Sequence, residues 1–270
     1  MDSLVSTTWL GGALRAGDIA LLDASWFLPE HGRNARREFA EAHLPGARFL
    51  DLDPLHDVPE PPRFAEMMGA LGVADDMRIV VYDNSPLHSA ARAWWLLRHF
   101  GARRVAILDG GVAKWRGEGR AVASGEGAHP TPKHFVARPG GDSRDKAQLL
   151  ANLASGAEQV IDARSPSRFA GREAEPRAGV APGHIPGARN LHYATLFAED
   201  GSWKSGVALE RAFDTAGADP ARTIVATCGS GVTAGVIAFA AHLLGREAAL
   251  YDGSWAEWGS DPATPKATGA

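Results

Sequence analysis

One cysteine, Cys228, stands in a chain of 270 residues, and its neighbours are of the kinds that turn a thiol into a nucleophile. The stretch Thr223-Ile224-Val225-Ala226-Thr227-Cys228-Gly229-Ser230-Gly231-Val232-Thr233-Ala234 reads as a strand, a glycine-bearing loop and the first turn of a helix. Two glycines let the backbone curl so that successive N–H groups point to one centre, an anion-binding nest, and the following helix adds the positive end of its dipole. Such surroundings favour the ionised form of a thiol, which is the form that attacks. The same nest could then hold a second sulfur atom carried on the first. Taken alone, a single cysteine is more often a small buried hydrophobe. The strand-loop-helix setting with Gly229 and Gly231 favours chemistry instead. Phosphatases of the Cys-x5-Arg kind need a guanidinium six residues beyond the nucleophile to clamp phosphate, and that position here is Ala234.

A nucleophile so placed needs a strand that ends beside it, and the sequence supplies the same framework twice. Leu21-Leu22-Asp23-Ala24-Ser25 returns as Val160-Ile161-Asp162-Ala163-Arg164, and Ala42-His43-Leu44-Pro45-Gly46-Ala47-Arg48 returns as Gly183-His184-Ile185-Pro186-Gly187-Ala188-Arg189. Ile79 to Asp83 parallels Ile224 to Cys228, and Leu108-Asp109-Gly110-Gly111 with Trp115 parallels Tyr251-Asp252-Gly253-Ser254 with Trp258. The offset stays between 139 and 145 residues through all four pairs, the mark of a duplicated domain. Residues 1–123 form the first domain, 124–142 a linker rich in Gly, Pro, Ser and His, 143–262 the second domain and 263–270 a polar tail expected to fray.

In each copy, short runs rich in Val, Ile and Leu alternate with longer amphipathic stretches. The expected fold class is α/β: a tandem duplication, each copy a parallel sheet with helices on both faces. Strands are expected at Ile19 to Asp23, Arg78 to Asp83, Arg104 to Leu108, Gln159 to Asp162, Thr223 to Cys228 and Ala248 to Tyr251, with helices over Ala90 to Phe100 and Thr233 to Leu244. Ligands of such sheets sit at the carboxyl ends of strands, where both Cys228 and its counterpart Asp83 fall. His43 and His184 occur in both copies before a Pro-Gly turn, which argues for turn fixing. Trp94, Trp95 and Trp115 read as packing residues.

Composition narrows the classes. The chain carries 28 basic and 32 acidic residues and a formal charge of -4, with no basic footprint for nucleic acid or an anionic membrane. The longest apolar runs, such as Ala234 to Leu244, are too short to span a bilayer. The first ten residues have neither a signal-peptide nor a transit-peptide pattern, so the expected address is the cytoplasm. One cysteine forms no internal disulfide and no Cys-rich zinc site.

The loop Cys-Gly-Ser-Gly-Val-Thr at 228–233 resembles that of 3-mercaptopyruvate sulfurtransferases. The repeat, the His-(Leu/Ile)-Pro-Gly elements and Asp252-Gly253-Ser254-Trp255 are similar to the two-domain rhodanese superfamily, over nearly the whole chain. The resemblance implies that sulfane sulfur moves from 3-mercaptopyruvate to an acceptor through a persulfide on Cys228, releasing pyruvate, with no metal or organic cofactor. The acceptor would be cyanide, a small thiol or thioredoxin. It also implies that only the second domain is catalytic, and Asp83 at the first domain's loop agrees, because a carboxylate cannot carry sulfane sulfur.

Further residues enter through the same resemblance. Within Arg168-Phe169-Ala170-Gly171-Arg172-Glu173-Ala174-Glu175-Pro176-Arg177, read on composition alone as a solvated mixed-charge loop, Arg168 and Arg177 match the arginines that hold the donor's carboxylate and keto oxygen. Arg172 is assigned to solvent or to a pair with Glu173 or Glu175. Gly229, Gly231, Val232 and Thr233 complete the substrate-binding loop. Ser230, His56 and Asp53 match a Ser-His-Asp arrangement that manages the substrate proton, although only Pro54 and Leu55 separate Asp53 from His56 where relatives have a longer loop. Trp255 is a candidate for the wall of the cleft. Two other readings stay open: a thiosulfate:cyanide sulfurtransferase, whose relatives carry basic residues after the cysteine where Gly229 and Ser230 are neutral, and a non-enzymatic rhodanese-like module that binds a partner or relays sulfur.

Overall fold

The computed structural model describes residues 1–269. The chain divides into two compact units, the first built from Met1–Gly140 with Ala198–Trp203, the second from Gly141–Phe197 and the chain from Lys204 onward.

The first unit holds β1 (Leu4–Val5), β2 (Ile19–Asp23), β3 (Arg48–Phe49), β4 (Arg78–Tyr82) and β5 (Arg104–Leu108), all paired in parallel in the order β1-β5-β4-β2-β3. The second holds β6 (Ser143–Arg144), β7 (Gln159–Asp162), β8 (Arg189–Asn190), β9 (Ile224–Thr227) and β10 (Ala248–Tyr251), again parallel, in the order β6-β10-β9-β7-β8. The two orders are the same once the copies are matched, so the sequence repeat is a repeat of topology. Ile79 to Tyr82 and Ile224 to Thr227 are buried throughout, as expected for central strands of a parallel sheet covered by helices.

Register fixes the correspondence of the two loops. Asp23 pairs with Tyr82 in the first sheet, and Asp162 pairs with Thr227 in the second. The next residue along each central strand is Asp83 in one and Cys228 in the other. Each central strand then leads through a loop into a buried helix, Ala90–His99 and Ala234–Leu243. The second of these is apolar on all sides and buried from Ala234 through Ala241, which is how a helix surrounded by protein reads. Trp94, Trp95 and Trp115 are buried packing residues.

The histidine elements repeat in atomic detail. The His43 ring stacks on Phe39 at 4.1 Å between centroids, and its Nδ1 lies 2.8 Å from the Phe39 carbonyl oxygen. His184 stacks on Phe169 at 3.8 Å, with Nδ1 again 2.8 Å from that residue's carbonyl oxygen. Each histidine also forms an antiparallel bridge to a residue at the end of its repeat, His43 to Ala123 and His184 to Ala267.

That second bridge overturns the expectation of a frayed tail. The Trp258 indole N–H donates to the Pro265 carbonyl at 2.8 Å, Thr264 is buried, and Lys266 Nζ donates to the carbonyls of Asp261 and Thr264. In the stretch rich in Gly, Pro, Ser and His after Ala123, Phe135 is buried against Phe64, and the N–H groups of Lys133 and Arg138 donate to Gly69 and Phe100 in the first unit.

Candidate active site

Cys228 follows β9 at the carboxyl edge of the second sheet. Its Sγ accepts the N–H of Gly231 at 3.0 Å and the N–H of Ser230 at 3.4 Å. Gly231 makes this possible: its φ of 84° lies where side chains are strained and glycine is at ease. The loop therefore curls back over its own sulfur, and the inward-facing amides expected from the Gly-Ser-Gly sequence are present. Cys228 is 1% exposed, while Gly229, Ser230 and Thr233 are half-buried and Gly231 and Val232 are buried. The sulfur is thus shielded by a polar loop, a setting in which amide donors stabilise charge more than they would in water.

A second element closes on the same loop. The helix Ser254–Ser260 begins beside the cysteine, and its unpaired first-turn donors find the loop's carbonyls: Trp255 N–H to Cys228 O and Ala256 N–H to Gly229 O, both 2.9 Å. Ser254 is fully buried, its Oγ donating to Tyr251 O at 3.0 Å while accepting the Cys228 N–H at 3.4 Å and standing 4.0 Å from Sγ. Its φ is 50°, outside the range most residues adopt.

A chain of alternating charges runs from the sheet to the loop's surface. Asp162, the last residue of β7, holds Arg164 through both carboxylate oxygens, and Arg164 Nη2 also donates to Gly183 O at 2.7 Å. Both side chains are 1% exposed. The Arg164 guanidinium lies 4.6 Å from the centre of the Trp255 ring. Burial works against its charge, and the carboxylates of Asp162 and Glu175 outweigh that cost and favour its protonated form. Glu175 carries the chain outward, accepting from Arg164 Nη1 at 2.8 Å and from the Nε and Nη2 of Arg168. Arg168 in turn reaches the thiol loop: its Nη2 lies 3.1 Å from where a Cβ on Gly229 would stand.

The other residues singled out in the sequence differ in their exposure. Arg177 lies exposed on the segment that follows Glu175. Arg172 is exposed, and neither acid offered to it as a partner is bonded to it in the structure: Glu173 accepts from Ser167 and Glu175 from the two arginines. Trp255 is a core residue, 1% exposed, with its indole N–H donating to Ala181 O. Ser254, Arg164 and Glu175 were missed as site residues. For Ser254 the signal was available, because the matching position in the first copy is Gly111.

Asp53 and His56 belong to the first unit. Asp53 opens the single turn Asp53–Leu55, and its Oδ1 accepts the Trp26 indole N–H at 2.7 Å. The His56 ring lies 5.9 Å from that of Trp26, and its Nδ1 lies 3.7 Å from Asp57 Oδ1. Arg92, fully buried in the helix Ala90–His99, holds the turn's backbone through the carbonyls of Leu55 and His56.

The first unit preserves the nest but fills it. Asp83, in the place of Cys228, accepts the Ser85 N–H at 3.1 Å on one oxygen and the Ala90 N–H at 2.6 Å on the other. Burial raises its carboxyl to about 7, the two amides only partly opposing that shift. The amide donors of this loop are thus taken up by a carboxyl group in the first copy and by a thiol sulfur in the second.

Comparison with known proteins agrees with this geometry. The family model of the rhodanese-like domain matches twice, over residues 6–118 and 145–261. The chain is 42% identical over 272 residues to 3-mercaptopyruvate sulfurtransferase of Homo sapiens, covering 95% of this chain and 91% of that protein. It is 40% identical over 273 residues to thiosulfate sulfurtransferase of Bos taurus, with the same two coverages of 95% and 91%. Among solved structures, SseA from Escherichia coli, described as a 3-mercaptopyruvate sulfotransferase, superposes with a TM-score of 0.85 at 34% identity, covering 94% of this chain and 99% of that one.

Proposed function

Because the chain belongs to the rhodanese-like family, we propose that it is a sulfurtransferase whose donor is 3-mercaptopyruvate and whose carrier is Cys228. The observation that carries the reading is the pair of loop N–H groups converging on the sulfur of the one cysteine, with the Arg168 guanidinium over the neutral Gly229 beside it.

The donor's carboxylate docks on Arg168 and Arg177, since a guanidinium fork matches a carboxylate through two parallel hydrogen bonds. The Cys228 thiolate attacks the donor's sulfur. A new S–S bond forms, the C–S bond breaks, and its electron pair leaves on carbon as the enolate of pyruvate. The proton that was on the donor's sulfur ends on that carbon, so thiolate and mercaptopyruvate become persulfide anion and pyruvate with nothing else consumed. Ser230, two residues after the nucleophile, is the candidate within the second unit for managing that proton. The amides of Ser230 and Gly231 that hold the thiolate then hold the charge of the persulfide. An acceptor, cyanide, a small thiol or thioredoxin, removes the outer sulfur and restores the thiolate.

The likeness to bovine thiosulfate sulfurtransferase supports a second reading, with thiosulfate as donor. Gly229 and Ser230 weigh against it, because a dianionic donor is better met by basic residues at those positions. Side-by-side kcat/KM values for the two donors decide, and a higher value for thiosulfate would reverse the assignment. Intact mass after donor treatment should show a gain of about 32 Da, one sulfur on the nucleophilic thiolate. Cys228→Ser should lose both the gain and the turnover, and turnover retained by that variant would end the scheme.

A further inference from the structure

We propose that Glu175 is the positioning residue that selects which edge of the Arg168 guanidinium faces the donor; this rests on Arg168 binding the donor's carboxylate. Residues 172–179 are exposed with one exception, Glu175, whose side chain turns inward and is only 4% exposed. A carboxylate drawn out of water in this way is costly unless its oxygens are met by donors. Here they are met by two guanidinia of different character.

Arg164 is the fixed one. It is held by Asp162, by the Gly183 carbonyl and by the Trp255 ring, and it anchors Glu175 Oε1 at 2.8 Å. Arg168 is the partly accessible one, with a side chain 23% exposed. Glu175 engages it along one edge only, Nε to Oε1 and Nη2 to Oε2. A guanidinium has a second edge, formed by its two terminal nitrogens. With the first edge committed, those nitrogens are the ones over the thiol loop, Nη2 at 3.1 Å and Nη1 at 3.7 Å from the Cβ position of Gly229.

Glu175 therefore transmits the rigidity of the sheet to a surface arginine, and it separates two like charges that would otherwise repel. Without its charge, Arg168 gains freedom to turn into solvent. The donor would then have to order the guanidinium on binding, which raises KM and leaves the later steps unchanged.

The experiment is a double-mutant cycle on the full chain with Glu175→Gln, Arg168→Gln and the pair together. Steady-state constants for mercaptopyruvate are measured alongside the rate at which cyanide discharges enzyme already loaded with sulfur. Glu175→Gln is expected to raise KM about tenfold with kcat and the discharge rate within about twofold, and the double variant to be no worse than Arg168→Gln. Glu175→Asp, which keeps the charge, is expected to recover part of the loss. It also replaces Glu175→Gln in the cycle if that variant does not fold. Additive effects, or a discharge rate that falls together with kcat, would overturn the positioning role. So would an unchanged KM in the Glu175 variants while Arg168→Gln raises it. An unchanged KM in Arg168→Gln would instead overturn the carboxylate assignment beneath it.

Discussion

Gly111 and Ser254 occupy the same step of the two repeats, with φ of 55° and 50°. In the first copy a side chain there would collide with the Asp83 carbonyl, and glycine takes the position without strain. In the second copy a serine accepts that backbone conformation, and its hydroxyl meets the backbone N–H of Cys228. Strain at a non-glycine residue of this kind persists where the surroundings hold it in place. Replacement by glycine should relieve it and replacement by alanine should not. Ser254→Gly is expected to be more stable than Ser254→Ala by about 1 kcal/mol, and both should lose roughly tenfold in kcat/KM with the hydroxyl. Thermal melts with steady-state rates test both expectations, and equal stability of the two variants would remove the strain argument.

The two glycines after the nucleophile should fail in different ways when given a methyl group. Gly231 is needed for its φ of 84°. Gly231→Ala should cost about 1–2 kcal/mol and turn an amide away from Sγ, lowering kcat. Gly229 has no such φ, but a Cβ there meets Arg168 Nη2 at 3.1 Å. Gly229→Ala should leave kcat and stability nearly intact and raise KM for the donor. Kinetics and melts on both variants separate the roles, and matching defects would show that the loop responds only as a whole.

Asp83 gives the first unit a pH dependence. Its carboxyl sits at about 7 in the folded protein, above the ordinary carboxylate value of 3.8. Its protonated form is thus favoured by folding, and the associated stability is complete below about pH 4 and lost progressively as pH rises to about 7. Between pH 5 and pH 7 the unfolding free energy should fall by about 2 kcal/mol from this group, at up to roughly 1.4 kcal/mol per unit. The change in unfolding free energy between the two pH values, from denaturant titrations of the native chain and of Asp83→Asn, should differ by that amount. Identical changes would show that the carboxyl is not held protonated.

Arg164 is the cation on which two buried carboxylates depend, with Asp162 and Glu175 side chains 1% and 4% exposed. Arg164→Met fills the space and removes the charge. It should cost about 3–5 kcal/mol, because Asp162 is left buried without its cation and Glu175 keeps only Arg168. Ser25 fills the matching place in the first copy, donating its N–H to Asp23 at 2.9 Å. Ser25→Ala keeps that backbone donor and should cost far less. Chemical denaturation of the two variants makes the comparison, and similar losses would show that the ion pairs carry little weight.

The repeat made the sheet legible. Matching Asp83 to Cys228 puts the nucleophile at a strand end, and the strands of Ile19–Asp23, Arg104–Leu108, Gln159–Asp162 and Ala248–Tyr251 end where the apolar runs end. The two-residue strands Leu4–Val5, Arg48–Phe49, Ser143–Arg144 and Arg189–Asn190 are too short to show a period, and with them strand order and register come only from the structure. Charged side chains were harder to place. In the stretch from Arg168 to Arg177, composition describes a solvated loop, and nothing in residue type distinguishes the inward-turned Glu175 from the exposed Glu173. That difference depends on Arg164, which is brought close by folding and not by spacing. The segment after Asp261 misleads for a related reason: its small and polar residues look free to move, but His184, about eighty residues earlier, and the nearby Trp258 indole hold it by bonds to its backbone that residue type does not announce.

The bridges from His43 to Ala123 and from His184 to Ala267 span 80 and 83 residues. A contact between positions so distant forms only after most of the intervening chain exists. Each bridge ties the histidine element of a repeat to a residue beyond its last strand, so a repeat cut before Ala123 or Ala267 would keep all five strands and lose this tie.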